Sequence, residues 1–125
     1  MPVSLAVALG GALGSLARYA LDRLIEHRSD SVFPWSTFAI NVSGCLVIGA
    51  VIAALVDRHH VPAWIRVGLV IGVLGGYTTF STFAQESLDL LEGLHHAGVA
   101  LAYMFASVAS GVLAVFVGTK IGRTL

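Results

Sequence analysis

Gly72-Val73-Leu74-Gly75-Gly76-Tyr77-Thr78-Thr79-Phe80-Ser81-Thr82-Phe83-Ala84-Gln85-Glu86 is the stretch on which the fold turns. It lies in a run from Val67 to Gln85 that carries no charged residue, long enough to meet the roughly 18 residues that mark a membrane span. Yet two adjacent glycines and four hydroxyl residues crowd its middle. Glycine in a helix costs about 1 kcal/mol relative to alanine. Thr and Ser offer side-chain bonds that compete with the helical ladder. Together they predict a span interrupted at Gly75–Thr79, with Thr79, Ser81 or Thr82 available to cap a restarting helix. Such an interruption frees carbonyls at the end of one half-helix and N–H groups at the start of the next. In lipid those groups must be buried in protein, bind an ion or line a wet cavity. Carbonyls suit a hard cation and half-helix N-termini suit an anion.

Outward from this stretch, the chain is uniformly apolar. Of 125 residues, 57% are hydrophobic and 11% charged, against about 25% charged in a soluble domain. Val32 to Val56 and Gly93 to Thr119 are further uncharged runs, and the first run begins at Val3, with its charges confined to the last third. Buried helices of a soluble protein are excluded, because four such runs leave nothing to bury them. The reading is an all-α membrane protein forming a single membrane domain over residues 1–125. Its spans fall at about 3–25, 33–56, 62–92 (broken at 75–79) and 97–120. The first is not a signal peptide, since its first cation, Arg18, follows the apolar run. Phe33-Pro34-Trp35 opens the second span and Pro62 with Trp64 the third. Each sets an aromatic at the interface and a proline in the first turn. Asp57-Arg58-His59-His60 reads as a tight turn.

Gly10/Gly14, Gly68/Gly72, Gly72/Gly76 and Gly118/Gly122 are spaced by four. Small residues at that spacing let helix backbones approach, here including an expected subunit interface. Four spans put both termini on one side, with Arg58, Arg66, Lys120 and Arg123, against Arg18, Arg23 and Arg28 on the other. A Lys/Arg bias sets membrane orientation, and this one is nearly balanced. That favours insertion in both orientations, with pairing to the inverted copy, over one orientation fixed by something else.

Few residues can carry chemistry. Asn41 is an amide inside the second span. It offers two donors to an anion, or an interhelical hydrogen bond worth about 1 kcal/mol. Phe80 and Phe83, three apart, share a helical face. Their rings serve as packing, or present positive edges to a small desolvated anion. Arg18 either snorkels, neutralises a carboxylate or helix end, or attracts anions to a vestibule. Glu86 falls near the end of the third span. The pairs His59-His60 and His95-His96 lie in links, and no Cys or carboxylate set completes a metal site with them. Cys45 is the only cysteine, so no intrachain disulfide forms.

Three segments in order resemble the Fluc/CrcB family of fluoride ion channels, over the whole chain. They are Gly10-Gly11-Ala12-Leu13-Gly14-Ser15-Leu16-Ala17-Arg18-Tyr19, Trp35-Ser36-Thr37-Phe38-Ala39-Ile40-Asn41-Val42-Ser43-Gly44, and Gly75 to Phe83 closing with Glu86. The resemblance implies an antiparallel, dual-topology homodimer with two fluoride pathways. It implies a structural sodium ion at the dimer centre, held by the carbonyls of Gly75 and Thr78 from both subunits. It places Asn41, Phe80 and Phe83 on the pathways, with a hydroxyl track that includes Ser81 and Thr82 and extends to Tyr103, Ser107 and Ser110. Glu86 matches a carboxylate of the family whose role stays open. The implied physiology is passive export of cytoplasmic fluoride across a bacterial inner membrane, driven by the membrane potential.

The expected partners are therefore fluoride, the lipid bilayer and an inverted second copy, and no nucleic acid. No catalytic residue is expected: the sequence holds neither a phosphate-binding glycine loop ending in Lys-Ser/Thr nor a nucleophile–base pair. Two other readings remain. A small dual-topology multidrug transporter needs a membrane-embedded carboxylate, and no Glu precedes Arg18 in the first span. A structural subunit of a larger membrane complex would tolerate substitution at Asn41, Phe80 and Phe83.

Overall fold

The computed structural model describes residues 1–56, 61–93 and 95–125. The Asp57-Arg58-His59-His60 turn, with the Arg58 counted above for orientation, lies outside the described residues. Among these residues every regular element is helical: α1 (Val3–Glu26), α2 (Trp35–Val51), α3 (Ala63–Val67), α4 (Gly75–Tyr77), α5 (Phe80–Glu92) and α6 (Ala97–Thr124). Ile52–Val56 extends α2 as a π-helical turn, and Gly68–Leu74 joins α3 to α4 in the same wide form. α3 through α5 form one interrupted span. Four helical segments are long and apolar enough to cross a membrane: Val3–Glu26, Trp35–Leu55, Ala63–Glu92 and Ala97–Thr124. Only 17% to 22% of each apolar window is buried within the chain, so most of this surface needs lipid or another protein against it. The chain is an integral, multi-pass membrane protein.

The helix starts follow from the prolines. Pro2, Pro34 and Pro62 each stand at the N-cap of a span, where the missing N–H removes no helical bond. The last turn before α6 is made by His95, whose φ of 82° is left-handed.

Two close helix pairs build the bundle: α1 against Gly68–Leu74 and α4, and α2 against α6. Both rest on glycine. A methyl group at Gly10 would meet the Gly68 carbonyl oxygen at 2.5 Å, and one at Gly14 would overlap the Val73 carbonyl. On the other seam, methyls at Gly118 and Gly122 would overlap the Leu46 and Ala50 carbonyls. These backbones touch with no room for Cβ, which maximises dispersion contacts where no hydrophobic force drives association. Gly10, Gly14, Gly72, Gly118 and Gly122 all face backbone of their own chain.

A smaller cluster closes the end where α5 meets α6. Leu90, Ala100 and Tyr103 are buried there, packed by Phe33, Phe38 and Phe83. Phe33 lies edge-on to Tyr103 with ring centroids 5.3 Å apart, a favoured aromatic geometry. This cluster fixes the height of α5 and hence of the interruption above it.

Candidate functional site: the interrupted span

The interruption is shorter than the sequence predicts, and two threonines make it. Gly75, Gly76 and Tyr77 remain helical. Thr78 (φ −78°, ψ 157°) and Thr79 (φ −146°, ψ 116°) are extended. Extended backbone suits β-branched residues. The glycine pair serves another purpose. A methyl at Gly76 would meet the Gly11 carbonyl oxygen at 2.6 Å, whereas Gly75 faces open space, its nearest neighbour being the Val70 carbonyl oxygen at 3.9 Å. Gly44 of α2 admits the extended pair, since a methyl there would overlap the Thr78 side chain.

Side chains from two other helices hold this geometry. Asn41 of α2 grips the Thr79 peptide twice: Nδ2–H donates to the Thr79 carbonyl at 2.9 Å, and the Thr79 N–H donates to Oδ1 at 2.8 Å. One amide hydrogen of Asn41 stays outside this clamp. From α1, Arg18 donates to the Thr78 carbonyl at 3.4 Å and Ser15 to the Gly76 carbonyl at 3.5 Å. Arg18 thus lies against the C-terminal end of the first half-helix, in keeping with one of the readings open for it. Ser43 and Tyr77 hydroxyls meet at 2.8 Å.

The restart uses Thr79, the first of the three candidate caps. Its hydroxyl accepts the Thr82 N–H at 3.2 Å and donates to Thr82 Oγ1 at 3.0 Å. Ser81 Oγ lies 3.4 Å from the same oxygen. The Thr79 hydroxyl is thereby saturated, and the Thr82 proton is left for another acceptor.

Two cavities flank Thr79. One, of about 340 Å³, is mostly apolar and is lined by Leu74, Gly75, Thr78, Phe80, Phe83 and Ser107, with Asn41 and Cys45 on the α2 side. The Ser107 hydroxyl oxygen is buried here without a hydrogen-bond partner among the described residues. Phe80 and Phe83 lie 5.7 Å apart at 44°, and Phe80 is 79% exposed. The other cavity, of about 240 Å³, is the more polar of the two and is lined by Ser15, Arg18, Asp22, Thr37 and Thr82, with Tyr19 and Ile40. Thr79 lines both.

Glu86 stands outside both cavities. Its two carboxylate oxygens accept from Thr37 at 2.7 Å and from Tyr103 at 2.6 Å. Tyr103 is wholly buried. Each carboxylate oxygen thus has its own donor. Glu86 therefore ties α2, α5 and α6 together.

The expected site residues divide accordingly. Asn41, Phe80, Phe83, Ser107, Gly75 and Thr78 meet around the apolar cavity, and Arg18 with Thr82 lines the polar one. Ser81, Tyr103, Ser110 and Glu86 line neither. Ser110 donates to the Ala106 carbonyl of its own helix. Sequence reading missed Ser15 and Thr37 as partners of the site. It named Thr79 only as one of three possible caps. Their shared signal is a small polar residue one turn from Arg18 or Asn41, on the same helical face.

Known proteins are similar to this chain in sequence. Residues 5–119 match the family described as CrcB-like protein, Camphor Resistance (CrcB). A relative from Acidobacterium capsulatum, named fluoride-specific ion channel FluC, is 46% identical over 95% of this chain and 94% of its own. FluC of Phocaeicola vulgatus is 45% identical over 91% of this chain and 93% of its own. FluC of Thermus thermophilus is 42% identical over 97% of this chain and 95% of its own. The relatives are named as ion channels, not as enzymes. With a family match across most of its length and relatives this similar over nearly all of it, the chain belongs to the Fluc/CrcB family of fluoride ion channels.

Proposed function

We propose that this chain forms a fluoride-selective passive channel. It works as an antiparallel, dual-topology homodimer with a structural sodium ion at its centre, and it exports cytoplasmic fluoride across a bacterial inner membrane. The observation that carries the reading is the interruption at Thr78–Thr79, which sets a helix C-terminus and a helix N-terminus side by side between a polar and an apolar cavity. The names of the relatives support fluoride as the ion.

Fluoride is small and strongly hydrated, so a pathway must replace its water with donors. The polar cavity offers the Arg18 guanidinium and the Thr82 hydroxyl. Beyond Thr79, the free amide hydrogen of Asn41 and the unpartnered Ser107 hydroxyl are donors in an otherwise apolar space. The positive edges of Phe80 and Phe83 add attraction without a trapping charge. Field from the start of α5 favours an anion at this level.

The sodium reading fits the donor set. Gly75 and Thr78 line the same cavity, and Gly75 faces open space. A bound sodium would supply positive charge between two half-helix C-termini that otherwise repel across the dimer axis. Arg18 lies at 3.4 Å from the Thr78 carbonyl, longer than the usual 2.7–2.9 Å of a charge-assisted bond. A carbonyl oxygen has two lone pairs, so one remains for a cation. Backbone carbonyls left open at the break belong at the centre of a membrane only if protein or an ion covers them, and an inverted copy would do so with the same surface.

The deciding test is fluoride efflux from liposomes that hold only this purified protein, read with a fluoride electrode. Fluoride leaves when a potassium ionophore sets the potential, and chloride stays. Equal chloride movement, or no fluoride movement, refutes the channel. Labelling tagged termini from each side of the membrane tests the inverted pair, which a single uniform orientation would exclude.

A further inference from the structure

In an uninterrupted helix each carbonyl accepts the N–H four residues on. The Gly75 carbonyl would then take the Thr79 N–H, and the Thr78 carbonyl the Thr82 N–H. In this structure both N–H groups are already engaged by side chains. The Thr79 N–H donates to Asn41 Oδ1 at 2.8 Å, and the Thr82 N–H donates to the Thr79 hydroxyl at 3.2 Å. The Thr78 carbonyl also accepts from Arg18 at 3.4 Å, which leaves it one lone pair. Gly76 accepts from Ser15, and Leu74 keeps its helical partner, the Thr78 N–H, at 3.0 Å. Two side chains thus take the helical partners of the two carbonyls that the sodium reading assigns to the cation.

We infer that Asn41 and Thr79 are positioning residues for the cation site: each holds the N–H that would otherwise return to Gly75 or Thr78 and close the helix over it. This rests on the sodium reading. It also gives Asn41 two duties. Its Oδ1 keeps the cation's carbonyl free, while its second amide hydrogen remains for the anion. The cation and the anion are then linked through one side chain. A pathway lesion at Asn41 should disturb sodium binding, whereas a lesion at the rings should not.

The test is the sodium dependence of thermal stability for the full chain in detergent, with N-methyl-D-glucamine as the replacement cation. Fluoride flux is read in parallel. Asn41→Ala and Thr79→Val should raise the sodium concentration for half-maximal stabilisation by about tenfold or more, a shift of about 1.4 kcal/mol. Thr79→Ser keeps the capping oxygen, and Asn41→Asp keeps the acceptor for the Thr79 N–H. Both should stay within about threefold of the wild type, although Asn41→Asp puts a carboxyl group on the anion path and loses flux. Phe83→Ile should lose flux with its sodium response intact. A truncation variant with the wild-type sodium response overturns the inference. So does a tenfold loss in Thr79→Ser or Asn41→Asp, and these two still decide if the truncations do not fold. If the wild type itself shows no sodium response, the sodium reading fails instead; if only the variants behave unexpectedly, that reading stands and this inference falls.

Discussion

The two cavities beside Thr79 are built from opposite materials. The polar one draws on α1, with Ser15, Arg18 and Asp22 facing Thr37 and Thr82. The apolar one draws on α2, α5 and α6, with two rings, a lone amide and one unpaired hydroxyl. Under the proposed function, the polar cavity would collect the ion and the apolar one would decide which ion goes further. Only in the second is each donor scarce enough that removing one should change passage steeply. The contrast also separates structural polarity from functional polarity. Asp22 holds the Ser36 hydroxyl, and Glu86 is held by Thr37 and Tyr103. The hydroxyl of Ser107 is held by nothing among the described residues.

This comparison can be broken most directly at the rings. Phe80→Ile and Phe83→Ile should each cut fluoride flux by about 100-fold, near 2.7 kcal/mol in barrier, while the dimer persists on a sizing column. An unchanged rate in both would make the apolar cavity mere packing. The polar cavity should be more forgiving. Arg18→Gln should lower flux about tenfold, and less at high salt, because charge at a water-filled mouth is screened over about 10 Å at 0.1 M. A loss as large as that of the rings, independent of salt, would reverse the assigned roles. Tyr103→Phe tests the structural carboxylate. Removing one donor from half-buried Glu86 should cost about 1 kcal/mol of stability, seen as a lower melting temperature, with a smaller effect on selectivity. The finest contrast lies on α6. Ser107→Ala should reduce flux several-fold, whereas Ser110→Ala, whose proton already serves Ala106, should stay within about 0.5 kcal/mol in stability and within twofold in rate. Equal losses at both would restore Ser110 to the pathway.

Much of this was legible in the sequence because it is local. Long uncharged runs mark helices in lipid, since each backbone group must find its partner within its own segment. A crowd of glycine and hydroxyl residues in such a run marks a weak point. The small-residue stripes were legible as close-packing surfaces for the same reason. What they pack against was not, because spacing describes one face and says nothing of the opposite one. The glycine pair shows the limit clearly. Propensity marks both glycines as breakers, yet both stay helical, and one of them serves the passage of Gly11.

The sequence by itself determined four apolar segments, an interruption in the third and the chemical identity of the groups near it. Those follow from hydropathy and backbone propensity, which act over a few residues. Only the tertiary structure decided where the interruption falls and who holds it. Thr78 and Thr79, rather than Gly75 and Gly76, leave the helix because Asn41 from α2 and Arg18 from α1 supply partners for their peptide groups. A broken helical bond in lipid must be replaced, and here the replacements come from residues 38 and 60 positions away in the chain. The feature read first as a weakness in one segment is held open by two others.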